Sequence, residues 1–568
     1  MESFEGNVMK NRYDVVVVGG GPNGITIACY LAKCGLSVCL CEDRLQCGGG
    51  FENTEPIPGF RIDPHATYLY GAAAPGIEQL ELPKFGFRMV HYKTMFGVVT
   101  SDGEGFVAGK YNPEKTRESF KRFSEKDARL WEAFDSAVSD NAVDILRSVY
   151  WTPPPPVGVT LAREELPWAK ELKKHVPAYD PAWNDMSTFE ILDTMYETEP
   201  FKVGSAMGTW YNGPHPDWAG TGIFGMTCNL LNHHSSGSPL GGTHSMIHAL
   251  VRCALTHGVT ILTNSKVQEI IVEDGEAKGV ILADDAPTRT KKLYADRAVI
   301  SGVHIKDLFL NLVASRHLDP VFLQGIKDIN LKGGSLFVLS IIAKEMPRFI
   351  GRAGEILSGT DYPSCIFLPA DHRELVLNQM RDVYSFNTHP MKKESMIIPI
   401  VNHDLFDKTR CPPGYHVFSP IYLQMPPPEY HVDGPDAVNK AKDEIVDTLL
   451  ETIRLVAPNM TEKNIVAKFV NTPYDSAFRN LGFVGGNWYG ISQSEDQWYS
   501  ARPLEELSRY RTPINKLYLC NHTSYPGGLG LMAVPYNLMH ILIEDLDLKP
   551  GGWWYPSPYY ISEKEVTA

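Results

Sequence analysis

The residues with the clearest chemical content lie near the start of the chain. Gly19-Gly20-Gly21-Pro22-Asn23-Gly24 places glycines at the first, third and sixth positions of a phosphate-binding turn. Gly19 permits the tight turn, Gly21 lets the backbone approach a pyrophosphate, and Gly24 lets a helix pack closely on a strand. Glu42 stands 18 residues beyond Gly24, where a carboxylate would accept ribose hydroxyls. An acid there favours a ribose 2′-hydroxyl over a 2′-phosphate, hence FAD or NAD over NADP. Asp43 and Arg44 follow, and then a second glycine cluster, Gly48-Gly49-Gly50. An NAD domain has no need of that cluster. The diphosphate and ribityl chain of FAD extend past the second strand and do.

These residues need particular elements to position them. Residues 13–18 are an almost purely β-branched run, suited to a strand buried on both faces of a parallel sheet. Residues 25–33 read as a helix whose N-terminus offers free amides and a partial positive charge to the phosphates. A second strand is expected over 37–40. A glycine-rich turn in a generic α/β unit is the competing reading. The order strand, turn, helix, strand, acid makes the dinucleotide unit far more specific than an isolated glycine turn.

An acid, a basic residue and paired glycines just after the second strand resemble the amine oxidase and phytoene desaturase superfamily of FAD enzymes. Later blocks agree. Pro239-Leu240-Gly241-Gly242-Thr243 with a helix over 245–257 resembles the family's glycine turn and helix. Residues 259–262 and 267–270 resemble the strand pair whose valine, here Val267, touches the adenine end of FAD. Asp274-Gly275-Glu276 is a hairpin turn by composition, and 295–301 resembles the strand that re-enters the FAD domain. Gly485-Gly486-Asn487, Gln497 and Arg502-Pro503 match a block of the phytoene desaturase branch. Residues 517–520 resemble the last FAD-domain strand, and Pro526-Gly527-Gly528 the turn before the final helix. Pro58-Gly59-Phe60-Arg61 with Ala66-Thr67-Tyr68-Leu69 is most similar to the pyridine nucleotide-disulfide oxidoreductase domain 2 branch.

The resemblance implies an α/β fold: a discontinuous Rossmann-type FAD-binding domain with an inserted α+β substrate domain. It assigns residues 10–72, 238–304 and 505–548 to the FAD domain, 73–237 and 305–504 to the substrate domain, and 549–568 to an aromatic tail that docks on the body or on a second copy of the chain. Asn521 and His522 stand where the family has a glycine and a small or acidic residue. Met532 stands where it often has a glycine. Asn521, Met532, Ala533 and Val534 are the implied contacts beside the flavin. The implied activity is hydride transfer between flavin N5 and the C–C or C=C bonds of a hydrophobic, unsaturated substrate, in the desaturase or saturase direction, with an unspecified electron acceptor. A redox-neutral flavin isomerase, a flavin amine oxidase and a non-catalytic FAD scaffold remain as alternatives. An amine oxidase would need a lysine near the flavin and an aromatic cage.

His65 and His522 are the catalytic candidates, because a histidine exchanges protons near neutral pH. The competing reading makes each a hydrogen-bonded structural residue. Tyr68 and Tyr525 are expected to line the same cavity. Trp210, Tyr211, Trp218, Phe224, Trp488, Tyr489, Trp498 and Tyr499 pack a core or line an apolar tunnel. No metal site is expected. Cys29, Cys34, Cys39, Cys41 and Cys47 fall on elements the nucleotide fold already uses and read as small buried hydrophobes. His233-His234 has no accompanying ligand motif and reads as loop or pocket lining. The chain has no CxxC redox pair and no GxSxG elbow, which argues against disulfide reduction and serine hydrolysis.

Composition sets the outer bounds. A chain of 568 residues is too long for one small module. With 43% hydrophobic and 21% charged residues it has the makings of a core, which excludes wholesale disorder. Its net charge of −14 gives no footprint for nucleic acid. Residues 1–12 are polar and unlike a signal peptide, and no apolar run reaches membrane-spanning length. A reduced, cytoplasmic compartment is the expectation, with an organelle matrix or peripheral membrane contact left open. Residues 153–156, four prolines, form a stiff extended loop. Residues 437–456 read as one amphipathic helix that packs a core, with membrane contact as the sharper alternative.

Overall fold

The computed structural model describes residues 10–110, 112–359, 362–387 and 389–566. The strand Arg12–Val18 is the centre of the first sheet. Val15 and Val17 point into one apolar core and Val16 and Val18 into another, so the sheet is covered on both faces. That burial explains the unbroken valine run. Arg12–Val18 pairs in parallel with Val38–Cys41 on one side and Lys292–Ser301 on the other. Thr260–Leu262 extends the sheet beyond Val38–Cys41, and Leu517–Leu519 pairs with the end of Lys292–Ser301, both in parallel. Val267–Glu273 and Glu276–Leu282 form an antiparallel hairpin against the start of Lys292–Ser301. Asp274 and Gly275 both have positive φ, 51° and 75°, as a two-residue hairpin turn requires.

A second, seven-stranded sheet runs in the order Ile465–Asn471, Ser335–Ala343, His416–Met425, Ile398–Asn402, Cys365–Leu368, Phe96–Val99, Gly105–Ala108. All neighbours are antiparallel except Cys365–Leu368 with Phe96–Val99. Residues 437–456 form two helices rather than one, Ala437–Lys440 and Lys442–Val456. Ile445, Leu449, Ile453 and Val456 are fully buried against one face of this sheet, so that stripe packs a core. The opposite face, through Val98, Val338 and Phe367, shares one continuous core with Val15 and Val17 of the first sheet. The two sheets are therefore joined by apolar packing.

Helices between 113 and 235 cap this arrangement, including Glu125–Ser139, Glu199–Tyr211 and Gly222–Ser235. Pro153–Pro156 is extended and buried. The aromatic tail docks on its own chain: Trp553 stacks on Tyr30 with ring centroids 5.9 Å apart, and Trp554 meets the same ring edge-on. No helix among the described residues is long and apolar enough to cross a membrane.

Candidate functional site

A cavity of about 780 Å³ opens at the carboxyl ends of Arg12–Val18 and Val38–Cys41, the edge of a parallel sheet where ligands bind. Its wall begins at Val18. Gly19 follows with φ +98°, and its amide donates to the Cys41 carbonyl at 2.7 Å. The helix Pro22–Lys33 starts here. Gly21 is its N-cap, with no side-chain cap and no acid in the first turn, so its amides and partial charge face the cavity.

The two later glycines of the turn have different reasons. A Cβ at Gly24 would stand 2.0 Å from the Gly19 carbonyl oxygen, so packing alone demands glycine there. A Cβ at Gly21 would meet only the Gly49 Cα, at 3.8 Å. Packing does not demand glycine at Gly21; close approach of a phosphate group does.

Glu42 is buried, and both its oxygens accept backbone amides: Oε2 from Gly20 at 2.6 Å and Oε1 from Arg44 at 2.8 Å. Burial raises its carboxyl pKa, against the pull of those two amides. Lone pairs remain on both oxygens for further donors. Arg44 pairs with Glu52 at 3.1 Å, and Arg479 reaches the other oxygen of Glu52 at 2.9 Å. One buried carboxylate thus holds two guanidiniums at the cavity wall, a cationic edge suited to a diphosphate.

The structure brings most of the expected residues to one wall: Gly19, Gly21, Pro22, Asn23, Gly24, Glu42, Asp43, Arg44, Gly49, Gly50, Val267 and Met532, together with His65 and His522. Gly48, Asn521, Ala533 and Val534 lie outside it. Gly48 donates to the Gly20 carbonyl at 3.0 Å and ties the two glycine turns together. Asn521 is buried and accepts from the Thr523 amide at 2.9 Å. Ala533 and Val534 are buried in the first turn of the helix Ala533–Asp545, behind its left-handed N-cap Met532. Tyr525 is also away from the wall; it is fully buried and donates to the Val149 carbonyl. Of the eight aromatics singled out in the sequence, Tyr211, Trp488 and Tyr489 reach the cavity. His233 and His234 are in the helix Gly222–Ser235, neither in a loop nor in the cavity wall.

His65 is buried between Phe483, 4.8 Å between ring centroids, and Trp488, 5.1 Å. Neither ring nitrogen has a hydrogen-bond partner. Burial, reinforced by the positive charges of Arg479 and Arg44, lowers its pKa to about 3. His522 faces the same Phe483 ring at 5.9 Å, and its Nε2 is also unpartnered. Burial, then His304 and Arg502, lowers it to about 3 as well. Both imidazoles are neutral at physiological pH.

Arg502 positions this region. It is fully buried and donates to the carbonyls of Tyr489 at 2.8 Å, Ser492 at 2.9 Å, Gln497 at 3.1 Å and His522 at 3.2 Å. Burial pushes its pKa down to about 9, which leaves it charged at neutral pH. A buried cation answered by carbonyls fixes the backbone of two wall residues.

Beyond the histidines the wall is aromatic and uncharged, with Tyr68, Tyr70, Tyr211 and Tyr489. Tyr68 stacks on Tyr211 at 6.0 Å. Tyr70 Oη lies 2.5 Å from Asn212 Oδ1 and 2.8 Å from Asn232 Oδ1. Among the described residues, the charged side chains of the wall are Glu42, Asp43, Arg44, Lys266, Asp307 and Arg479. Glu42, Arg44 and Arg479 cluster about the glycine turns, and Lys266 adjoins Val267. Sequence reading missed Arg479 and Glu52, because nothing local to either residue signals a contact made more than 400 residues apart.

Comparison with known proteins agrees with this geometry. Residues 14–142 match the family described as FAD dependent oxidoreductase, and residues 170–302 the family described as FAD binding domain. Pyridine nucleotide-disulfide oxidoreductase domain-containing protein 2 of Rattus norvegicus is 26% identical over 96% of this chain and 96% of its own. A limonene dehydrogenase component of Castellaniella defragrans is 23% identical over 97% of this chain and 98% of its own. The solved structure of putrescine oxidase bound to putrescine shares the fold, with a TM-score of 0.54 at 16% identity, covering 95% of this chain and 99% of that one. FAD is the cofactor these domains take.

Proposed function

We propose that this FAD-dependent oxidoreductase acts on the C–C or C=C bonds of an apolar, unsaturated substrate, and that the proposed FAD-side and catalytic residues divide the cavity between them. The observation that carries the reading is the change in character along one cavity wall. At the glycine turns it offers uncapped amides, Glu42 and the Arg44–Glu52–Arg479 cluster, which suit a dinucleotide. Elsewhere it offers tyrosines, Trp488 and two neutral imidazoles, which suit a hydrocarbon. A full-length relative carries the name limonene dehydrogenase, an apolar substrate of the same class.

Bound FAD supplies hydride exchange at its N5 atom. The chain supplies the rest. Tyr68, Tyr211 and Trp488 would hold the hydrocarbon and exclude water. His65 and His522, neutral and unpartnered, can each accept a proton at a ring nitrogen. A carbon skeleton that has lost hydride is a strong acid at the adjacent C–H, so even an imidazole with a low pKa takes its proton. The Arg502 contacts to the His522 and Tyr489 carbonyls keep both residues in place.

An amine oxidase reading is weaker. The lysine in the wall, Lys266, adjoins Val267, at the end the resemblance gives to adenine. A redox-neutral isomerase keeps support from the two neutral histidines, which can give and take one proton without net oxidation. Incubation of the holoprotein with an unsaturated terpenoid in deuterated water separates these readings. Product with two hydrogens fewer or more supports the proposal. Unchanged composition with deuterium incorporated favours the isomerase. Neither change with any hydrocarbon overturns the proposal.

A further inference from the structure

Away from the cavity, three ligating side chains converge on one point between two helices. Asp135 projects from Glu125–Ser139, and His233 and His234 from the last turn of Gly222–Ser235. His233 Nε2 lies 3.4 Å and His234 Nε2 3.5 Å from the same oxygen, Asp135 Oδ1. The three ligand atoms all lie within 4.8 Å of one another. The side chains of Asp135, His233 and His234 are 16%, 10% and 1% exposed.

Two features set this cluster apart from a hydrogen-bonded pair. First, neither Nε2 atom has a hydrogen-bond partner, although both are buried. Their distances to Asp135 are longer than a charge-assisted N–H···O bond, which is about 2.7–2.9 Å. Two ligands at about 2.0–2.1 Å from a tetrahedral zinc ion are separated by roughly 3.3–3.4 Å, close to what is found here. Second, successive residues on a helix point about 100° apart. Here the helix ends directly after His234, and the two rings stand at 86° with centroids 4.7 Å apart, so both nitrogens reach one oxygen.

We propose that Asp135, His233 and His234 form a binding site for one zinc-class divalent ion, with water as the fourth ligand at the more exposed Asp135 side. Two imidazoles and a carboxylate are a zinc ligand set, and the burial leaves little room for the several waters an octahedral ion keeps. Lys110 acts on His234 as an opposing positive charge, and the Asp135 carboxylate lies close enough to His234 to answer it.

The site is a brace and not a reacting centre. Asn232, one residue before His233, lies 2.8 Å through Oδ1 from the Oη of the cavity residue Tyr70. The chain then enters Ser236–Pro239, which pairs with Leu69–Tyr70. An ion here would pin the helix that supports the tyrosine wall to its neighbour.

The test is metal content and metal response of the flavin-loaded, full-length protein. After dialysis against a chelator and re-equilibration with zinc, the wild type should retain about one equivalent and melt at a higher temperature. Asp135→Asn and His233→Gln, with flavin content showing that they are folded, should bind zinc at least about tenfold more weakly and lose the thermal response. If the variants do not fold, cobalt added to the chelator-treated wild type decides the matter through the visible absorption of a four-coordinate site, read as a difference spectrum. Zinc uptake or thermal response equal in wild type and variants, or a cobalt spectrum without those bands, overturns the proposal.

Discussion

The two cavity histidines show how surroundings change what a residue can do. An imidazole in water titrates near pH 6.5 and would make activity pH-dependent in the physiological range. In this wall, burial and nearby cations hold His65 and His522 at about 3. Neither therefore changes charge between pH 6 and 8. The rate of the reductive half-reaction should be flat over that range as far as these groups are concerned, and a rapid-mixing pH profile checks it. His65→Gln and His522→Gln should slow that step by about 10²–10⁴-fold for the residue that takes the proton, with flavin still bound. A profile that rises or falls with an apparent pKa near 6.5 and loses that pKa in either variant would contradict the assignment.

At the scale of elements, a buried ion pair ties the second sheet's loops to the region around the glycine turns. Asp63 and Arg410 are fully buried and 2.5 Å apart, and Arg410 also pairs with Asp407 at 3.2 Å. Asp63 accepts from Asn53 Nδ2, and Asp407 from the Gly241 amide. Burial pushes the Asp63 carboxyl up, but Arg410 and His403 outweigh it and hold it below the usual range. Asp63→Asn would leave Arg410 with Asp407 alone and should cost about 3 kcal/mol, read as a lower denaturation midpoint of the holoprotein. Nothing in the sequence signals this link, because its partners stand nearly 350 residues apart and each looks locally like a loop residue. The nucleotide unit was far more legible. Strand, turn, helix and acid lie within 33 residues and follow from local rules, from the valine run to Glu42. The wall beyond the flavin side was legible only in part. Tyr68, Tyr211 and Trp488 stand out as aromatics, but Tyr525, equally aromatic, turns into the core because its hydroxyl finds the Val149 carbonyl. Aromatic composition cannot distinguish a wall from a core; the partner of the polar tip does.

The whole molecule carries a set of buried neutral histidines that couple its stability to pH. Burial is the leading cause in each: His65, His215, His522 and His540 are lowered to about 3, and His304 to about 4. For His540 the geometry agrees independently, since Nε2 accepts from the Ser557 amide and Nδ1 lies 3.0 Å from the Tyr536 carbonyl. The unfolded chain takes up these protons near pH 6.5 and the folded chain does not. Stability is therefore full above about pH 6.5 and falls as pH drops from there towards 4, by up to about 1.4 kcal/mol per pH unit for each group. The melting temperature of the holoprotein should already decline between pH 6.5 and 5.5, before most carboxylates titrate, whereas a flat profile to pH 5 would contradict it. The most direct test of the central claim is the flavin absorbance itself. The yellow holoprotein is mixed anaerobically with an unsaturated apolar hydrocarbon or, in parallel, with a primary amine. Action on carbon–carbon bonds predicts that the hydrocarbon bleaches the oxidised flavin, or reoxidises it after photoreduction, and that the amine does neither. Bleaching by the amine, with no response to any hydrocarbon in either direction, would contradict it.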